Sequence, residues 1–229
     1  MRKLLIIAVL VAGCAGVPPQ DLASDGSSRS PRDALSLTRA AERAGRVSNV
    51  RYELAIDLTR SDKYFAGTST LHFTLEDNGH PLTVDFSGGE IDRLVVNSKP
   101  LAPDYNGAFL TLPAAALVSG ANRLQIDYRH PYDGDGTGLH RFEDPEDGRT
   151  YLYTYLWPYY ANRLLPAFDQ PNLKAVFELS VRAPADWEVV SVSPGEITER
   201  EDGTATWVFS PTPRISTYVF SLHAGPYRI

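Results

Sequence analysis

From Val50 onward, apolar and polar residues alternate almost one for one, and that alternation leaves a β-sheet as the natural destination of the chain. Val50, Tyr52, Leu54, Ile56 and Leu58 alternate with Arg51, Glu53, Ala55 and Asp57. Successive side chains of an extended strand point to opposite faces, so this spacing predicts a half-buried strand. Gly67, Ser69, Leu71, Phe73 and Leu75 predict a second, with Thr68, Thr70, His72 and Thr74 opposite. Shorter segments follow at 82–86, 91–96, 124–128, 176–181, 187–192, 206–209 and 218–222. Turn pairs separate many of them: Asn97-Ser98, Asn106-Gly107, Asp147-Gly148 and Asp202-Gly203. Many short strands with few helical patterns predict an all-β fold, a saddle-like β-sandwich of mostly antiparallel strands. A short N-terminal helix precedes it. Pro31-Arg32-Asp33 leads into Ala34, Leu35, Leu37, Ala40, Ala41 and Ala44, closed by Gly45, which predicts about three turns with a small apolar face.

The first fourteen residues read as an address. Arg2 and Lys3 precede an apolar run, Leu4 to Val11, too short for a bilayer, which needs roughly 20 residues. Val11-Ala12-Gly13-Cys14 follows, and Cys14 is the single cysteine. Small residues before a cysteine resemble the bacterial lipobox, in which the thiol is lipidated and the peptide is cut just before it. Residues 1–13 are therefore expected to be a lipoprotein signal peptide. Cys14 becomes the lipidated terminus, residues 14–31 a flexible tether, and residues 32–229 the folded domain. Cleavage would leave 20 basic against 28 acidic residues. Ala15 rather than Asp follows Cys14. The localisation expected is the cell envelope, on the outer membrane or the periplasmic face in a Gram-negative cell.

The charge of −6 argues against a nucleic-acid partner, since phosphate binding needs clustered positive charge. One cysteine excludes an intramolecular disulfide and a Cys-based zinc cluster. The five histidines, at 72, 80, 130, 140 and 223, form no i, i+4 pair on a helix and no H-E-x-x-H. No serine sits in a G-x-S-x-G turn. Asp133, Asp135, Thr137, Gly138 and Asp144 fall at positions 1, 3, 5, 6 and 12 of a calcium loop. No helix flanks that loop and position 12 is Asp, so a glycine-rich loop is the plainer reading. No catalytic or metal-binding residue is assigned in this chain.

The densest feature is the run Tyr151-Leu152-Tyr153-Thr154-Tyr155-Leu156-Trp157-Pro158-Tyr159-Tyr160. On an extended chain Tyr151, Tyr153, Tyr155, Trp157 and Tyr159 share one face. Such a stripe either packs between sheets or lines a ligand site, with apolar ring bodies and polar tips.

The run continues to Phe177, and together the two segments resemble the aminopeptidase N family of zinc metallopeptidases. The family pattern is T-Q-F-E-P-x-x-A-R-R-x-x-P-x-F-D-E-P-x-x-K-A-x-F. Thr154, Pro158, Ala161, Arg163, Pro166, Phe168, Asp169, Pro171, Lys174, Ala175 and Phe177 match it without a gap. Asp135-Gly136-Thr137-Gly138-Leu139-His140-Arg141 resembles the family's D-G-x-G-x-x-R segment. Thr212 to Tyr218 and Ala224 to Tyr227 resemble the strand that closes its first domain. The resemblance covers roughly residues 36–229.

It implies a β-rich first domain that packs on a zinc metallopeptidase catalytic domain in cis. That second domain would carry G-A-M-E-N, H-E-x-x-H and a further Glu, and none of these motifs occurs in the 229 residues. No cofactor is therefore expected in this chain. Zinc is expected only with a downstream catalytic domain, and no peptide hydrolysis from this chain alone. In the family, the Gln and Glu of T-Q-F-E reach the free amino group of the substrate. Tyr155 and Trp157 occupy those positions here, so they are the substrate-pocket candidates, offering an ammonium only a cation–π contact or walling an apolar side-chain pocket. Asp169 is expected to be structural, satisfying a turn. The alternatives are a lipoprotein binding module that uses the aromatic face for carbohydrate or peptide, and a purely structural envelope domain.

Overall fold

The computed structural model describes residues 35–228. The signal peptide, Cys14, the tether and the Pro31–Ala34 lead into the helix lie outside the described residues. One helix, α1 (Leu37–Arg46), is followed by fifteen strands. These are β1 (Val47–Asp57), β2 (Tyr64–Leu75), β3 (Leu82–Asp85), β4 (Glu90–Val96), β5 (Lys99–Pro100), β6 (Asp104–Tyr105), β7 (Phe109–Leu112) and β8 (Gly120–Pro131). The second half contains β9 (Gly138–Glu143), β10 (Thr150–Tyr155), β11 (Val176–Pro184), β12 (Glu188–Ser191), β13 (Gly195–Glu201), β14 (Thr204–Phe209) and β15 (Leu222–Gly225).

Three sheets result. The largest has the order β13-β14-β11-β1-β2-β8-β4-β5, a second β12-β15-β10-β9, and a third β3-β7-β6. Pairing is antiparallel except between β1 and β11, which run parallel with Tyr52 opposite Phe177. The alternation that defines the strands also defines the core. Tyr52, Leu54 and Ile56 of β1 are buried with Leu71 and Phe73 of β2, Leu124, Ile126 and Tyr128 of β8, and Phe177, Leu179 and Val181 of β11. Leu110 and Leu112 of β7, Leu152 of β10 and Ala224 of β15 join the same cluster, so the three sheets close on one core. Each such aliphatic or aromatic side chain contributes about 1.5–3 kcal/mol through burial. The all-β reading with a short N-terminal helix holds.

The turn pairs behave as their residues dictate. Asn97 and Ser98 both take positive φ, 49° and 68°, and join β4 to β5 with Val96 opposite Lys99. Asp202 and Gly203 do the same between β13 and β14.

Three local expectations are corrected. Gly195–Glu201 is an additional strand that the sequence reading passed over, because G-E-I-T-E-R-E shows no apolar alternation. It is the exposed edge of the large sheet, where charge suits a strand with one open side. The strand expected at 218–222 starts only at Leu222, and Thr217–Val219 is a 3-10 turn instead. The Thr217 hydroxyl donates to buried Asp169 Oδ1 at 2.6 Å, which draws the chain inward before pairing begins. In α1, Gly45 lies inside the helix rather than ending it. The side chain that α1 buries is Arg43, 5% exposed, while Leu37 is 87% exposed.

Candidate functional site

The aromatic run is extended only as far as Tyr155, where β10 ends. Residues 157–160 form a turn, closed by Tyr160 N–H donating to Leu156 O at 2.9 Å. The single five-ring stripe expected from the alternation is thus divided. Tyr151 packs edge-on against Tyr227, and Tyr153 lies against His140 with ring centroids 4.9 Å apart. Both are half-buried. Leu152 and Leu156 point into the core. Tyr155 and Trp157 are left open to solvent, 47% and 57% exposed. Trp157 lies in the turn, beyond the strand that carries Tyr155.

Two motifs far apart in sequence fasten the base of this aromatic corner. In the β9–β10 pairing, Gly138 lies opposite Tyr155 and Arg141 opposite Leu152. Just before β9, Asp133, Asp135 and Thr137 surround one guanidinium, that of Arg163. Arg163 Nη2 pairs with Asp133 Oδ1, and Nη1 with Thr137 Oγ1 and with Asp135 Oδ2, the last at 2.9 Å. The calcium-loop spacing is therefore occupied by an arginine of the same chain. Hydrogen bonds from Thr137, joined by Arg163, hold the Asp135 carboxyl well below the usual carboxylate range. Burial pushes the Asp133 carboxyl up, while Arg163 beside it pulls the other way. Gly138 has φ +61°, and a Cβ there would collide with Asp133 Oδ2, so only glycine fits that close approach.

Behind the corner, residues 161–170 are buried apart from Arg163. Buried tyrosines hold this segment: Tyr128 donates to Leu164 O at 3.0 Å, and the Tyr52 hydroxyl accepts from Phe168 N–H at 2.9 Å. Asp169 ties three stretches together. Its Oδ2 accepts from Asn162 N and Nδ2 at 3.0 and 2.9 Å, and its Oδ1 from Thr217. Its own N–H donates to Asp85 Oδ2 at 3.1 Å. Burial pushes the Asp169 carboxyl up to about 6 despite these donors, and the charge of Asp85 adds to that. The expectation of a structural, turn-satisfying aspartate matches this geometry. Arg43, reaching in from α1, completes the group through Asp85 Oδ2 at 2.7 Å and Gln170 Oε1 at 2.6 Å. Sequence reading missed Arg43, Asp85, Asn162 and Thr217. The one available signal was Arg43 three residues after Ala40, a charge set on the small-residue face of a helix.

Among the described residues, no three His, Cys, Asp or Glu side chains converge as a metal site. His130 sits between Phe65 and Phe86, with Nε2 2.8 Å from Ser87 O. His72 lies 3.0 Å from Glu53 across β1 and β2.

The fold and these motifs match a known family model, the peptidase M1 N-terminal domain, over residues 48–219. The chain belongs to that family. It is 35% identical over 201 residues to an aminopeptidase N of Streptomyces lividans, a match covering 86% of this chain and 23% of that protein. It is 28% identical over 183 residues to a probable aminopeptidase 1 of Sulfurisphaera tokodaii, covering 79% of this chain and 22% of the relative. An aminopeptidase N of Acetobacter pasteurianus is 28% identical over 236 residues, covering 98% of this chain and 63% of that protein. The chain thus spans about a quarter of the length of the first two relatives. The expected domain, the first of the aminopeptidase N architecture, is the one observed. No helix among the described residues is long and apolar enough to cross a membrane.

Proposed function

We propose that this domain roofs the substrate site of a zinc aminopeptidase whose catalytic domain lies in cis, and that Tyr155 and Trp157 shape the pocket for the substrate's first side chain. The observation that carries the reading is the contrast at the end of β10. Two large rings stand in solvent while the segment behind them is buried and hydrogen-bonded throughout. Exposed apolar rings on a rigid base mark a surface built to meet something. The division of the stripe favours this over a carbohydrate platform, because Tyr151 and Tyr153 are engaged by Tyr227 and His140. The zinc and the hydrolytic groups belong to the catalytic domain. The domain is lipid-anchored in the cell envelope through Cys14, supported by the Val11-Ala12-Gly13-Cys14 run.

A panel of aminoacyl-anilides assayed with the full-length protein tests the pocket. Trp157→Ala changes the ratio of kcat/KM between large and small first residues by about tenfold, the worth of one or two methylenes in an apolar pocket. Unchanged ratios would overturn the role of Trp157. The 229-residue chain assayed alone with added zinc releases no product.

A further inference from the structure

Toward the other end of β10, where Leu152 lies about 10 Å from Tyr155 by strand rise, is a separate cavity of about 300 Å³. It opens where the large sheet and the β12-β15-β10-β9 sheet part. Its floor and walls are apolar: Leu152 of β10, Tyr132 just after β8, Pro184 at the end of β11 and Trp187 just before β12. Thr59, Ser61, Thr150 and Thr204 add hydroxyls, and two charged side chains also line it, Arg141 of β9 and Asp62 of the β1–β2 connection.

These charges are not consumed by the fold. Arg141 Nη2 donates to Thr150 Oγ1 at 2.9 Å, and Nη1 lies 3.7 Å from Glu143 Oε2, at the outer limit of an ion pair. A guanidinium carries five N–H donors, so several remain. Asp57, the other carboxylate nearby, is taken up by Thr59 and by Arg60 at 2.7 Å. Asp62 receives one long hydrogen bond, from Ser61 Oγ at 3.5 Å, and forms no salt bridge among the described residues. Tyr132 lines the same cavity as Arg141 and Asp62, so the apolar ring and both charges face one space.

We infer that this cavity binds a free amino acid with an apolar side chain. Its carboxylate would meet Arg141, its ammonium Asp62, and its side chain the space between Tyr132 and Trp187. A simple anion would leave Asp62 facing it, a simple cation would face Arg141, and a neutral apolar molecule would pair with neither charge. A zwitterion with an apolar side chain satisfies all three features, and the volume is at the small end of ligand cavities. The inference stands apart from the aminopeptidase reading. If that reading holds, the occupant is the class of molecule that the reaction releases.

Calorimetric titration of the purified chain with L-phenylalanine and L-leucine tests it. Saturable binding of both is expected. The amide, lacking the carboxylate, and the N-acetyl derivative, lacking the ammonium, bind at least about tenfold more weakly, since a charge-assisted hydrogen bond contributes about 1.5–3 kcal/mol. Asp62→Asn, in an exposed connection, abolishes discrimination against the N-acetyl form. Arg141→Gln does the same for the amide. The ligand series leaves the protein untouched, so the test does not depend on either variant folding. Absence of saturable binding, or equal binding of all four forms, would overturn the inference. Loss of aminoanilide hydrolysis in the full-length protein bears only on the aminopeptidase reading.

Discussion

Arg43 and Asp85 form a fully buried ion pair at 2.7 Å, with side chains 4% and 0% exposed, and through it a helix with almost no apolar face is fixed to a β-sheet core. The same guanidinium stands 5.6 Å over the Phe168 ring, donates to Thr83 O at 3.2 Å and reaches Gln170. Removing one partner leaves the other charge in the interior, a change that costs about 3–5 kcal/mol. Arg43→Ala is therefore expected to lower stability by that amount. The exposed Glu42→Ala on the same helix changes it by less than about 0.5 kcal/mol. Urea denaturation of the two variants checks the contrast, and equal losses would mean that Arg43 acts only as a helix residue.

Gly138 and Gly148 both have positive φ, +61° and +66°, yet they differ in surroundings. A Cβ at Gly148 meets nothing within 4 Å, whereas one at Gly138 strikes the carboxylate that Arg163 holds in place. Alanine at either position pays the left-handed backbone cost of about 1–2 kcal/mol. The loss at Gly138 is expected to exceed that at Gly148 by a further 1 kcal/mol or about that, as overpacking does. Thermal melts of the two alanine variants measure the difference.

Asp169 gives the domain a stability that falls as pH rises. Its carboxyl, near 6 in the folded chain, holds a proton more tightly than an unfolded aspartate does. Its stabilisation is complete below the unfolded value, about 4, and is lost as pH rises through about 6. The slope it contributes is at most about 1.4 kcal/mol per pH unit. Asp57, whose carboxyl is lowered despite its partial burial by bonds from Thr59 and Arg60, contributes in the opposite sense. Denaturant midpoints of wild type and Asp169→Asn between pH 4 and 7 separate the two. The difference between the proteins is expected to change across that interval, and parallel curves would rule the effect out.

Truncating the exposed ring at 157 and the buried ring at 168 should give opposite results. Trp157→Ala removes a side chain that touches little of the core and is expected to cost less than about 0.5 kcal/mol. Phe168, fully buried and edge-on to Phe73, is expected to cost about 3–5 kcal/mol when cut to alanine. Chemical denaturation of both variants is the check. A core-sized loss at Trp157 would place that ring in the packing and end its candidacy as a pocket wall.

Membrane fractionation tests the anchor. Cys14→Ser is expected to release the protein from membranes, because Cys14 is the single cysteine and its thiol is the proposed attachment point of the lipid. Retention of the variant in the membrane fraction would refute lipidation at Cys14.

The amino-acid sequence by itself determined the fold class, most of the strands and the family. Period-two alternation is a local property of the chain, and turns such as Asn97-Ser98 and Asp202-Gly203 act through their own backbone preferences. Where alternation was absent, as in the charged edge strand Gly195–Glu201, the sequence was silent, because an edge strand is specified by its neighbour's hydrogen bonds. Tertiary structure alone decided where the aromatic stripe breaks. Alternation could not show that β10 ends at Tyr155, nor that Tyr151 and Tyr153 would pack against other rings while Tyr155 and Trp157 would stay exposed. It also decided which charges are buried. Arg43 is 42 residues from Asp85, and Arg163 is 30 from Asp133. A charge enters the interior only where the fold brings it a partner, and that meeting is a property of the closed core and not of any single segment.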